Sequence, residues 1–254
     1  MKLQDQVALI TGGAGGLGRA MCHKFAAEGA RLVIGYRTSA EAAKALVDEL
    51  PGLGHTAKEA PVEDSVRLIA LAAEIKAEYG RLDILINNAG TTRFVAHDDL
   101  DGLDDDLIDN IFRTNWRGAF ACARACRPLL DAKSGGLIIN ISSIAGATAM
   151  GSNIAYCASK AAMNSMTMAL ARALAPTIRV VALSPGLAET AFVTGLDQVW
   201  WDEQSRRTPL QRLASPDDVA DAALAIATSL KFSNGCIIPV DGGRPLTGAR
   251  SSND

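Results

Sequence analysis

Val7-Ala-Leu-Ile-Thr11-Gly-Gly-Ala-Gly-Gly-Leu-Gly18 is the stretch that decides the fold. Val7 to Ile10 reads as a short buried strand that runs straight into a glycine-rich turn. A helical apolar spacing follows at once (Leu17, Met21, Phe25) and stops at Gly29. Strand, glycine turn and helix in that order is the context in which such a loop carries meaning. Gly12 permits a tight turn, Gly16 lets the backbone approach a pyrophosphate, and Gly18 lets helix and strand pack closely. An anion placed there faces free N–H groups and the positive end of the helix dipole. A glycine turn without a ligand remains the alternative on this loop alone.

Outward from the loop, strands and helices alternate. Arg31 to Gly35 predicts a second strand, followed by Tyr36, Arg37, Thr38 and Ser39. An acidic residue at this place in a dinucleotide fold binds the ribose hydroxyls, and a basic one favours a 2′-phosphate. No carboxylate stands there, so Arg37 with the Thr38 and Ser39 hydroxyls favours NADP(H), NAD(H) staying possible. A solvated arginine at a strand end is the alternative. A helix is expected over 39–50, broken by Pro51-Gly52, and a third strand within 55–60. Residues 65–79 predict an amphipathic helix with Val66, Ile69, Ala70 and Ala73 as its apolar stripe. A fourth strand, 82–86, empties into Asn87-Asn88-Ala89-Gly90, the kind of turn at which a doubly wound sheet binds its ligand.

The acidic run from Asp98 to Asp109 reads as a solvated loop and a helix start that complements the dipole. Its helix continues through Asn115 to Pro128. A strand at 137–141 leads to Ser143, and one at 178–183 to Ser184-Pro185-Gly186. The segment 187–207 has no strong period and reads as an irregular lid carrying Trp200 and Trp201. Ser215-Pro-Asp-Asp218 is a helix start with serine as N-cap and proline at the first position. A last strand is expected at 237–240, and a frayed tail at 248–254. The alternation argues an α/β fold, a doubly wound parallel sheet with helices on both faces, as one domain over 1–254.

Composition limits the function. At 254 residues, 48% hydrophobic and net charge −3, the chain has ample core and no general affinity for nucleic acid or an anionic membrane. Met1 to Gln6 lacks signal-peptide architecture, and no apolar run approaches a membrane span. The five cysteines form no Cys-x-x-Cys pair, and no histidine lies near Cys122 and Cys126. The expectation is a reduced, cytoplasmic protein without a metal site.

Chemistry enters with Ser143, Tyr156 and Lys160. Tyr156 and Lys160 are four apart at the start of a helical run (Met163, Met166, Leu170, Leu174), which stacks them on one face. An ammonium beside a phenol stabilises the phenolate, and so lowers the tyrosine from its usual pKa of about 10. Ser143 offers a hydroxyl to hold a carbonyl oxygen while the tyrosine protonates it. A Tyr-x-x-x-Lys pair alone arises by chance in about one such sequence in ten, so its weight comes from the company it keeps.

Taken together, these residues resemble the shorter branch of the short-chain dehydrogenase/reductases over nearly the whole chain. Residues 11–18 match Thr-Gly-x-x-x-Gly-x-Gly, 87–90 match Asn-Asn-Ala-Gly, and 156–160 match Tyr-x-x-x-Lys. Asn115 matches the asparagine of the long helix, Pro185-Gly186 the Pro-Gly turn, and Ser143 stands thirteen residues before Tyr156, as in the family. The resemblance implies a Rossmann-type sheet of about seven strands, NAD(P)-dependent interconversion of a carbonyl and an alcohol, and a homotetramer. It implies Tyr156 as general acid/base, with Lys160 lowering its pKa and binding the nicotinamide ribose. Ser143 would orient the substrate oxygen, and Asn115 would position a water for proton relay to Lys160.

The same resemblance implies cofactor contacts from Gly12, Gly16, Leu17, Gly18, Arg37, Thr38, Val62, Asn88, Ala89, Gly90, Pro185, Gly186, Ala188 and Thr190. Three positions depart from the family. Pro61 stands where an adenine-facing Asp is frequent, leaving the backbone of Val62. Gly15 stands where NADP-preferring members often carry Arg or Lys, and Val181 replaces a frequent Asn. With Arg37 meeting a 2′-phosphate and no carboxylate repelling it, NADPH is expected to bind about 10- to 100-fold better than NADH.

The expected substrate is a free small or medium carbonyl compound in a largely apolar pocket walled by 187–207, Phe94, Met150 and Trp200. Two alternatives stand beside this: a 3-oxoacyl-[acyl-carrier-protein] reductase, and a catalytically silent NADP(H)-binding regulator. A carrier needs basic docking residues, and the positions that supply them are here Lys133, Ser134, Pro176 and Thr177. The sequence leaves the substrate's identity, stereochemistry and direction open.

Overall fold

The computed structural model describes residues 2–132, 135–188 and 198–246. On β1 (Val7–Thr11), Ala8 and Ile10 join the core on one face of a sheet, while Val7 and Leu9 join the core on the other. β2 (Arg31–Tyr36) repeats the alternation, with Leu32 and Ile34 opposite Val33. Both faces are therefore covered, which is why these strands read as unbroken apolar runs.

β1 pairs with β2 on one side and with β4 (Ile84–Asn87) on the other. The remaining strands are β3 (Thr56–Glu59), β5 (Gly136–Ile141), β6 (Ile178–Pro185) and β7 (Ile237–Val240). All seven run parallel in the order β3-β2-β1-β4-β5-β6-β7. After β3 the chain crosses back over β1 to start β4, so the winding reverses between these two. The loops that leave β1 and β4 lie side by side at that switch point, where such sheets bind ligands.

One helical layer contains α1 (Gly16–Ala27), α2 (Ala40–Glu49) and α9 (Pro216–Thr228), which bury Phe25, Leu46 and Ile226 among others. The opposite layer contains α3 (Ser65–Tyr79), α5 (Ala119–Leu130) and α7 (Ile154–Leu174), with Leu71, Cys126 and Ala171 in its core; the single turn α6 (Ala145–Thr148) precedes α7. Side chains as completely buried as Phe25 and Leu71 contribute about 1.5–3 kcal/mol each. α9 begins as its sequence predicts: Ser215 and Asp218 cap each other's backbone N–H groups, and Pro216 takes the first position. No helix among the described residues is long and apolar enough to cross a membrane.

Three expectations are corrected. Val66 and Ile69 of α3 are 78% and 63% exposed, and the buried stripe is Leu68, Leu71, Ala72 and Ile75. Both sets have helical spacing. Only the second packs on the sheet, where Leu68, Leu71 and Ile75 bury more apolar surface than a stripe containing Ala70 and Ala73 would. Asp64 caps the helix through Val66 N and Arg67 N. The long helix through Asn115 is interrupted: α4 (Asp105–Phe112) passes into a π-helical turn over Arg113–Gly118 before α5. The end of the segment expected to be irregular is α8 (Gln198–Arg206), on which Trp200 and Trp201 meet edge to face at 5.3 Å. Residues 189–197, the tail 248–254, and Lys133 and Ser134 lie outside the described residues.

Candidate active site

The glycine loop after β1 and the Asn87–Gly90 turn after β4 are stitched together by Thr11. Its Oγ1 accepts from the backbone N–H groups of Asn88 and Ala89, both at 3.0 Å, and donates to the Ile86 carbonyl at 3.3 Å. Asn88 Nδ2 donates back to the carbonyls of Thr11 and Gly12, each at 3.0 Å. Gly12 takes φ +61°, a conformation that costs an L residue steric strain. A Cβ at Gly18 would stand 2.4 Å from the Gly12 carbonyl oxygen, so the loop folds against α1 only if residue 18 is glycine. No side chain caps the N-terminus of α1 at Gly15.

That junction opens into a cleft of about 1630 Å³. Gly12, Gly16, Leu17, Arg37, Thr38, Val62, Asn88, Ala89, Gly90, Ser143, Tyr156, Lys160, Pro185, Gly186 and Ala188 all line it. The cleft brings together residues from six strand ends, those of β1 to β6. Its size exceeds that of a usual small-molecule site and accommodates an extended ligand with a second one beside it. The uncapped helix start and the glycine cradle fit a dinucleotide's pyrophosphate. Gly18 is among the packing residues rather than the lining ones, and Thr190 lies outside the described residues.

At the far end stand the groups capable of moving a proton. Tyr156 sits in the first turn of α7 and hydrogen-bonds Ser143, which follows β5. Asn153 is the N-cap: its Oδ1 accepts from Tyr156 N at 2.7 Å, and its Nδ2 donates to the Arg93 carbonyl and to Thr92 Oγ1. This residue ties the start of α7 to the wall of the cleft. An asparagine before a helical run is the signal that could have found it.

Lys160, on the same helix face, is 5% exposed, and its Nζ donates to the Ile141 carbonyl at 2.7 Å. Burial pulls its ammonium down to about 8. Burial also pushes the Tyr156 phenol up, and the hydrogen bond with Ser143 only partly opposes it. The expected lowering by Lys160 is therefore absent from the protein alone. The ammonium is turned to a backbone carbonyl, and the desolvation of the ring's surroundings is the larger effect. At neutral pH the phenol keeps its proton, as a donor to a carbonyl oxygen must.

Asn115 does not line the cleft; it is completely buried behind it. Its amide exchanges two hydrogen bonds with the backbone of Thr91, at 2.7 and 3.0 Å, and donates to Ser159 Oγ at 3.1 Å. Ser159 in turn donates to the Tyr156 carbonyl at 2.8 Å. The π-helical turn delivers this side chain inward, a deviation that often marks functional positions.

The sequence pattern of the short chain dehydrogenases matches residues 6–199. The chain belongs to that family. As a short-chain dehydrogenase it is an NAD(P)-dependent oxidoreductase that interconverts a carbonyl compound and an alcohol. It is 36% identical to ketoacyl reductase 2 of the granaticin polyketide synthase of Streptomyces violaceoruber, over 94% of this chain and 96% of that one. A 3alpha-hydroxysteroid dehydrogenase of Mediterraneibacter gnavus is 32% identical, over 95% and 98%. Among solved structures, the 3-ketoacyl-(acyl-carrier-protein) reductase from Brucella melitensis complexed with NADH superposes with a TM-score of 0.86. It is 32% identical, with 96% of this chain and 99% of that one covered.

Two features of this short-chain dehydrogenase escaped the sequence reading. Charged side chains join the cleft's lining: beside Phe94, Met150 and Trp200 stand Arg93, Glu203, Arg206 and Arg207. And a carboxylate does face Arg37. Glu63, in the loop after β3, accepts from Arg37 Nη1 at 2.7 Å. The sequence offered no local signal for it, because the carboxylate arrives from another strand's loop and not from the end of β2.

Proposed function

We propose that this protein reduces a free small or medium-sized carbonyl compound, or oxidises the corresponding alcohol, using NADP(H) and less readily NAD(H). The observation that carries the reading is Tyr156 hydrogen-bonded to Ser143 above a buried Lys160, at the end of a cleft that begins in the glycine cradle. When bound, the nicotinamide supplies or accepts the hydride. Tyr156 gives its proton to the carbonyl oxygen, Ser143 holds that oxygen, and Lys160 stabilises the phenolate that is left. Asn115 and Asn153 act as positioning residues, through Ser159 and through the helix N-cap.

Arg37, Thr38 and the absence of an acidic residue at the end of β2 support NADP(H). The NADH found with the Brucella protein supports NAD(H) as a second cofactor. The five cysteines, all unpaired, support a reducing, cytoplasmic setting. Exposed Val66, Ile69, Trp116 and Phe120, on α3 and on the path from the π turn into α5, support a homotetramer.

A second reading, a 3-oxoacyl-[acyl-carrier-protein] reductase, is favoured by Arg93, Arg206 and Arg207 at the cleft. An acidic carrier would meet them. Against it, Pro176 and Thr177 offer no charge, and the Asp98–Asp109 stretch is itself acidic. The deciding experiment is competition between a carrier-linked 3-oxoacyl chain and its short free thioester, alongside a panel of ketones and alcohols. Comparable kcat/KM values support the free substrate. A gain of about a hundredfold from the carrier would put the second reading in its place.

A further inference from the structure

We propose that Glu63 is an internal anion in the subsite for a cofactor's ribose 2′-phosphate, and that it holds the preference of this protein for NADP(H) over NAD(H) to a small factor. The inference rests on the reading above, in which an adenine dinucleotide lies in the cleft with its ribose against Arg37 and Thr38.

Arg37, Thr38, Ser39, Glu63 and Thr114 line the same end of the cleft. Glu63 Oε1 accepts from Arg37 Nη1 at 2.7 Å and from Thr114 Oγ1 at 3.1 Å. Burial pushes the Glu63 carboxyl up, but its own backbone N–H, Arg37 and Thr114 outweigh that and hold it below the usual carboxylate range. It is therefore an anion at neutral pH.

Its position is fixed from below. Arg117 Nη2 donates to the Glu63 carbonyl at 2.9 Å, and neighbouring Val62 packs so tightly on Gly118 that a Cβ there would lie 2.7 Å from Val62 Cγ2. Glu63 has a side chain 19% exposed, whereas that of Arg37 is 59% exposed. The carboxylate is thus the more closely held member of the pair, and the arginine the more exposed one.

A 2′-phosphate entering this subsite shares the guanidinium with a carboxylate already bound to one of its N–H groups. Arginine has five such donors in a fork, so the phosphate still finds an edge. What it loses is most of the net charge, since Glu63 has neutralised it, and it gains a like charge close by. The neutral 2′-hydroxyl of NAD(H) meets no such opposition. Removing the charge of Glu63 while keeping its shape should free Arg37 for the phosphate alone.

The test uses the adenosine half of the cofactors, so that binding is read without turnover. Calorimetric titration at low salt with 2′,5′-ADP and with 5′-ADP compares the wild type, Glu63→Gln, and Glu63→Gln combined with Arg37→Ala. In the wild type the two dissociation constants should agree within about fivefold. In Glu63→Gln the ratio should move by about tenfold towards 2′,5′-ADP, with 5′-ADP shifted by less than about twofold, and adding Arg37→Ala should erase the gain. Unfolding curves of each variant identify any that are misfolded, and Glu63→Ala serves as a second charge-removing change. An unchanged ratio, or weaker binding of 2′,5′-ADP in Glu63→Gln, overturns the proposal and leaves Glu63 a strut for Arg37. Failure of both nucleotides to bind the folded wild type would instead overturn the dinucleotide reading beneath it.

Discussion

The ammonium of Lys160 lies 5.7 Å from the centroid of the Tyr156 ring while donating to the carbonyl of Ile141 at 2.7 Å. One residue at the end of β5 thus anchors the cation, and one turn of α7 sets its distance to the phenol. Among the described residues, no carboxylate pairs with either group. The protein holds a protonated phenol above a cation that burial makes easy to discharge.

Removing the phenolic hydroxyl leaves that arrangement in place. Tyr156→Phe is expected to lower kcat by about 10²–10⁴-fold, the usual worth of a positioned proton donor. The dissociation constant of the cofactor should stay within about twofold, since one hydroxyl is a small part of the contact. Single-turnover rates and a fluorescence titration measure the two separately. A variant retaining a third of the wild-type kcat would show that the proton comes from elsewhere.

Lys160→Met should be inactive yet should not be less stable in proportion. The folded-state pKa of about 8 lies below the ordinary 10.5, so below pH 8 the folded protein holds a buried charge that the unfolded chain solvates freely. Between pH 8 and 10.5 the unfolded state binds more protons, and wild-type stability rises with pH. Relative to Lys160→Met, the wild type should gain on the order of 3 kcal/mol across that window. Urea unfolding of both proteins at pH 7 and pH 10 gives the difference. A difference that stays flat with pH would mean the lysine is hydrated.

Asn115→Ala leaves the N–H and the carbonyl of Thr91, both part-buried, without their side-chain partner. The loss should be about 1 kcal/mol of stability per orphaned group, since water can reach them in part, read by chemical unfolding. Turnover should fall as well, because Thr91 begins the segment whose Thr92 and Arg93 hold Asn153. Cofactor affinity changing far less than kcat would separate positioning of Tyr156 from damage to the whole cleft.

Two glycines of one loop should behave oppositely. Gly18→Ala drives a methyl to 2.4 Å from the Gly12 carbonyl and 2.8 Å from Gly13 Cα, backbone atoms that cannot swing aside. About 1–3 kcal/mol of destabilisation is expected, with displacement of the loop. Gly15→Ala meets its nearest atom, the Gly12 oxygen, at 3.5 Å and should unfold within about 0.5 kcal/mol of the wild type. Equal effects on thermal melting would show that the loop is not packed as described.

The local rules did well where a signal is carried by neighbours in the chain. Strand, glycine turn and helix at 7–29, the capping box at Ser215, the boundaries of α3 and the shared face of Tyr156 and Lys160 all depend on residues within a few positions of one another. Backbone sterics, turn chemistry and the 3.6-residue period act over that range. The same rules failed on α3's buried face, because two stripes had the same period and only the sheet distinguishes them. They gave α8 no period, although it is a helix with two tryptophans.

By itself, then, the sequence determined the alternating elements, the cradle formed by Gly12 and Gly18, and the spacing that puts Tyr156 and Lys160 on one helix face. The tertiary structure decided what surrounds them. It brought Glu63 to Arg37 across 26 residues and Asn115 to Thr91 across 24. It also buried Lys160 deeply enough to change its charge balance. The physical reason is common to all three: electrostatic environment and hydrogen-bond partners are set by which strand ends the crossovers place together, and no spacing along the chain encodes that directly.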